Sequence, residues 1–117
     1  MKLAEEQIAD RLRQLGTWER TDEKWIARKY RFPSFPAAIA FVNRVAETAE
    51  AMNHHPMISI DYRMVGLRLT TWHAGGLTEL DFRSAETYDK IMGKWRSDDE
   101  NKGARVNPAP SLFSGNK

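Results

Sequence analysis

Two imidazoles side by side, His54-His55, followed directly by Pro56, are the strongest chemical signal in this sequence. Imidazole is the side chain whose ordinary pKa lies near neutrality, so it both gives and accepts protons at cell pH. Neighbouring side chains at a helix-to-strand corner project in different directions. Two imidazoles there can serve opposite sides of a small substrate, one as general acid and one as general base, and either can take either role. A plainer reading makes them polar residues that break a helix before a proline. Metal chemistry is poorly supplied. With no cysteine, the ligands would have to be His73 and carboxylates, and no spacing such as His-Glu-x-x-His occurs. No metal site is expected.

The elements that must position the pair follow from periodicity. Ile8, Leu12 and Leu15 recur at helical spacing from about Leu3, with Gly16 as the stop. Residues 18–21 and 24–32 read as two strands around a turn at Asp22-Glu23, with Ile26, Tyr30 and Phe32 on the buried side. Ser34 is placed to cap a helix whose stripe is Ala38, Phe41, Val42, Val45, Ala49 and Met52. It reaches about Asn53, and the paired histidines before Pro56 end it.

Ile58 and Ile60, then Val65, Leu67 and Leu69, alternate with polar residues or glycine, predicting two half-buried strands joined near Tyr62-Arg63. After Gly75-Gly76, residues 78–81 have capping-box spacing and open a third helix, with Phe82, Ala85, Tyr88, Ile91, Met92 and Trp95 on its apolar stripe. The expected fold is α+β, in the order α-β-β-α-β-β-α. Three helices pack on one face of a four-stranded antiparallel sheet. Residues 1–96 form the domain, and residues 97–117 a polar, flexible tail.

Composition narrows the class. The chain has 117 residues, 41% hydrophobic and 29% charged, which suits one globular domain with its own core. The absence of cysteine fits a reducing compartment. The amino terminus lacks the apolar run of a secretory signal, and the least polar stretch, residues 35–42, is too short to span a bilayer. A cytoplasmic protein with no membrane partner is expected. Net charge is only +2 with both signs interspersed, and Arg28-Lys29 with Arg31 reads as the wet side of a strand. No direct nucleic-acid partner is expected.

Spacing adds a further layer. Glu50, His54-His55-Pro56, Tyr62, Trp72 and Asp81, in that order, resemble the signature of pterin-4a-carbinolamine dehydratases. Trp18, Phe32, Phe35, Ala38, Phe41-Val42 and Gly75-Gly76-Leu77-Thr78 also look like family positions, so the resemblance covers roughly residues 3–95. It implies a hydro-lyase that removes water from 4a-hydroxytetrahydropterin to give quinonoid dihydropterin, in tetrahydrobiopterin recycling. It implies catalysis by His54 and His55, with Glu50, Pro56, Trp72, His73 and Asp81 at the substrate. No cofactor is implied. The partners implied are the pterin and further copies of the chain, as homodimer or homotetramer.

The family's third histidine position is Trp72 here, with His73 immediately after it. Two assignments are open. Trp72 can stack on the pterin, its indole N–H only donating, or His73 can take over the histidine's role. Strand alternation opposes both pointing into one cleft, and the spacing to Asp81 favours Trp72. Other residues also have two readings. Asp81 can cap the third helix or orient a histidine. Glu50 can lie on a solvated face, and Tyr62 can be a turn aromatic. The alternative function is a weakly active or inactive relative that binds proteins, as a transcription cofactor or a RuBisCO assembly factor. Relatives of the assembly type tend to lose the paired histidines, which this chain keeps.

Overall fold

The computed structural model describes residues 1–101, with side chains through residue 94. Its elements run α1 (Glu5–Leu15), β1 (Glu19–Asp22), β2 (Trp25–Arg31), α2 (Phe35–Met52), β3 (Met57–Asp61), β4 (Met64–Leu69), a 3-10 turn (Trp72–Ala74) and α3 (Glu79–Asn101). The strands form one antiparallel sheet in the order β1-β2-β4-β3. The fold is α+β in the expected order, with the helices on one face. No helix among the described residues is long and apolar enough to cross a membrane.

Local chemistry sets the boundaries. Gly16, at φ 69°, ends α1 and donates to Leu12 O. Only a residue without Cβ adopts that conformation freely. Asp22 closes the β1–β2 hairpin by accepting from the N–H groups of Lys24 and Trp25. Ser34 caps α2 by accepting from Ala37 N–H at 3.2 Å. The end of α2 is built differently from the sequence expectation. Asn53 turns left-handed at φ 54° and donates to Glu50 O, while His54 N–H donates to Ala49 O. This is a Schellman closure. The helix therefore stops at Asn53, before Pro56 can act.

The core lies between helices and sheet. Ile26 and Tyr30 of β2 and Val65, Leu67 and Leu69 of β4 are buried against Phe41, Val45, Phe82 and Tyr88. Phe41 packs between Tyr30 and Phe32, with ring centres 4.8 and 5.0 Å away. A polar knot fastens α3 to the rest. The Asp89 carboxylate accepts from Thr17 Oγ1, Trp18 Nε1, Arg28 Nη1 and Tyr30 OH at 2.6, 3.0, 2.6 and 2.6 Å.

One strand differs from expectation. Ile58 and Ile60 face Leu67 and Val65 in register, so they share the helix side of the sheet. They are nevertheless 39% and 41% exposed, and every residue of β3 is open. The sheet order makes β3 an edge strand, and the helices cover β4 without reaching over it. The third helix also continues through Asn101, past the Arg96 boundary expected from polarity. Trp95's side chain and residues 102–117 of the expected tail lie outside the described residues.

Candidate active site

The Schellman turn after α2 sends the two histidines into different environments. His54 is buried and its Nε2 lies 2.7 Å from Oδ1 of Asp81, which is fully buried. A carboxylate only accepts, so the shared proton sits on Nε2. The Nδ1 side of the ring is then free to accept, and the carboxylate fixes both tautomer and ring orientation.

Asp81 is itself fully engaged. Its Oδ2 accepts from Thr71 Oγ1 at 2.7 Å and from Thr78 N–H at 2.9 Å. Thr71 has one hydroxyl proton and gives it to Asp81. In the Thr71–Thr78 contact of 2.8 Å, Thr78 must therefore donate. Thr78 Oγ1 in turn accepts from Leu80 N–H at 3.3 Å. Asp81 thus caps α3 and holds His54 with the same side chain, so the two readings of this residue are compatible. A buried polar network with every member paired specifies one arrangement.

His55 is more than half exposed, and its Nε2 lies 2.7 Å from Glu50 Oε2, one turn back on α2. Both partners are open to water, so the pair adds little stability. It biases the direction of the imidazole while leaving it accessible. Pro56 joins this corner to β3, whose first residue, Met57, pairs with Arg68 of β4. Tyr62 is at the far end of β3, in the hairpin, at φ 55°.

Trp72 and His73 share a single 3-10 turn, so strand alternation does not govern them. The turn is held by Gly75, at φ 75°, donating to Trp72 O, and by a Thr71–Gly76 bridge. His73 is exposed and makes no hydrogen bond or ion pair among the described residues. Trp72 is 77% exposed and meets Trp25 edge-on, with ring centres 5.4 Å apart. The structure therefore joins His54 to Asp81, and His55 to Glu50. It sets Trp72 against a residue that the sequence reading did not single out. Thr71 was also missed, although its place beside Trp72 at a strand end was a signal. Nothing local marked Trp25 or Arg68. Among the described residues, no three metal-ligating side chains converge.

Known proteins resemble this chain in sequence and in fold. A sequence model described as Pterin 4 alpha carbinolamine dehydratase matches residues 1–91. A protein of Chloroflexus aurantiacus, provisionally named pterin-4-alpha-carbinolamine dehydratase, is 51% identical over 92 residues, covering 79% of this chain and 98% of the relative. A Picosynechococcus protein with the same provisional name is 44% identical over 90 residues, covering 77% and 97%. The crystal structure of a transcriptional coactivator/pterin dehydratase from Brucella melitensis superposes with a TM-score of 0.75 at 33% identity, covering 78% and 98%. A pterin dehydratase-like protein identified as a RuBisCO assembly factor in the alpha-carboxysome shares the fold, with a TM-score of 0.56 at 23% identity, covering 66% and 90%. By the match across residues 1–91 and by relatives about half identical over nearly their whole length, this chain belongs to the pterin 4 alpha carbinolamine dehydratase family.

Proposed function

We propose that this chain dehydrates 4a-hydroxytetrahydropterin to quinonoid dihydropterin, with His54 and His55 carrying the protons. One imidazolium protonates the hydroxyl as the C4a–O bond breaks, and water leaves with that bond's electron pair. The other imidazole takes the N5 proton, and the N5–H electrons form the C4a=N5 double bond. One proton is given and one taken, so no redox partner is needed. Each proton transfer contributes about 10²–10⁴-fold.

The observation that carries this reading is the contrast between adjacent imidazoles. His54 is locked through Nε2 by buried Asp81, while His55 is open beside Glu50. Trp72 offers an exposed indole on which a pterin can stack. Glu50 and Asp81 act through the histidines, and Pro56 leads the chain from them into β3. His73, exposed and without a bond among the described residues, takes no catalytic part in this reading. The reading includes a cytoplasmic location, a place in tetrahydrobiopterin recycling and self-association through the open β3 edge.

The test is stopped-flow dehydration of chemically generated 4a-hydroxytetrahydropterin. The purified chain should speed loss of the carbinolamine well above its spontaneous rate. A rate equal to that in buffer would move the chain to a protein-binding role, for which exposed Met57, Ile58 and Ile60 offer a surface.

A further inference from the structure

Trp25 holds a cation and a second indole together on the sheet face turned away from the helices. The Arg68 guanidinium stands 4.4 Å from the centre of the Trp25 ring. Trp72 meets the same ring at 5.4 Å, with the planes at 83°. Register explains the meeting. Arg68 faces Ala27 in the β2–β4 ladder, and Trp25, two residues before Ala27, points to that same side. The chain then leaves β4 and the 3-10 turn brings Trp72 back against Trp25.

This cluster is tied to the paired histidines through neighbouring residues at two places. Thr71, the neighbour of Trp72, donates to the carboxylate that holds His54. Arg68 faces Met57, two residues after His55. Trp72 still keeps 77% of its surface open. A bulky aromatic held on one side and open on the others is a platform, and bracing it beforehand lowers the ordering cost of binding a flat ligand.

We propose that Trp25 and Arg68 are positioning residues that brace Trp72 as an aromatic shelf, favouring flat fused-ring substrates of the pterin class. The proposal rests on the dehydratase reading above. Trp25 and Arg68 touch no reacting atom. They act on substrate affinity through Trp72, so KM moves and kcat does not.

Trp25→Ala, Trp25→Phe and Arg68→Met test the shelf by circular dichroism, by binding of 7,8-dihydropterin and by steady-state dehydration. Trp25→Ala should remove the exciton signal of the indole pair in the ligand-free protein. It should raise Kd and KM about three- to tenfold, the scale of one aromatic pair, with kcat within about twofold. Trp25→Phe should recover most of the affinity, and Arg68→Met should fall between them. Arg68→Met removes the cation without opening the core, so it keeps the test intact if Trp25→Ala fails to fold. Wild-type KM and Kd in both Trp25→Ala and Arg68→Met, with turnover normal, overturn the brace and leave the dehydratase reading standing. A wild-type chain that neither binds nor dehydrates pterins overturns that reading, and the shelf's ligand with it.

Discussion

Nε2 of His54 and Oδ1 of Asp81 lie 2.7 Å apart across 27 residues of sequence, with side chains only 8% and 0% exposed. The neighbouring His55 has no such anchor and stays open to water. The two imidazoles are therefore unequal in stability as well as in chemistry.

His54→Ala should destabilise the fold as well as reduce turnover. It leaves one oxygen of a buried carboxylate without its donor, a loss of about 1–3 kcal/mol. His55→Ala should change stability by no more than about 0.5 kcal/mol, because its pair with Glu50 is exposed. Urea unfolding of the two variants checks this. Equal stability losses would contradict the asymmetry.

Asp89 should be among the costliest polar positions to change. Asp89→Ala strands the donors of Thr17, Trp18, Arg28 and Tyr30, including a partly buried guanidinium. A loss of about 3 kcal/mol or more is expected, and Asp89→Asn, which keeps an acceptor oxygen, should lose less. Denaturation midpoints at equal m-values decide it. A midpoint for Asp89→Ala close to wild type would show that the knot contributes little.

Stability should fall in alkali. Burial pushes the Tyr88 phenol up to about 12 from an ordinary 10.0. Burial, and then the Asp89 carboxylate, raises Tyr30 as well. Above about pH 10 the unfolded chain releases phenolic protons that the folded chain keeps, so it binds fewer protons and stability drops with rising pH. Their contribution is whole below about pH 10 and is lost as pH climbs through the folded-state values. Thermal melts at about pH 9 and about pH 11 should show the fall, and Tyr88→Phe should lessen it. Tyr88 OH is buried with no partner among the described residues, so Tyr88→Phe should also be neutral or stabilising at neutral pH.

The open β3 edge should make the chain self-associate. Met57, Ile58 and Ile60 are exposed on a strand whose outer hydrogen-bonding groups face no neighbour in the sheet. Light scattering at micromolar concentration should give a dimer or tetramer mass, and Ile58→Lys with Ile60→Lys should reduce it. A monomer mass for the wild type would refute the edge pairing.

Much of this was legible in the sequence because it is local. Ser34 and Ala37 are three residues apart, as are Thr78 and Asp81, so caps can be read from spacing. The alternation of Ile58 and Ile60 showed which residues share a face. It said nothing about whether a helix covers that face, because β3 becomes an edge only through the β1-β2-β4-β3 order. The Asp89 knot joins residues 59 to 72 positions apart, and no helical period announces it. The partnership of Trp25, Arg68 and Trp72 likewise exists only once β2 and β4 are in register. Sequence spacing favoured Trp72 over His73 without showing that a short 3-10 turn, and no strand, would present both.

The most direct test of the account is the single-turnover dehydration rate of His55→Ala beside that of the wild type, with both shown to be folded. His55 is exposed, so its loss removes a proton carrier without disturbing the core. The account predicts a wild-type rate well above that in buffer, and a fall of about 10²-fold or more in the variant. A variant that dehydrates 4a-hydroxytetrahydropterin as fast as the wild type would contradict it.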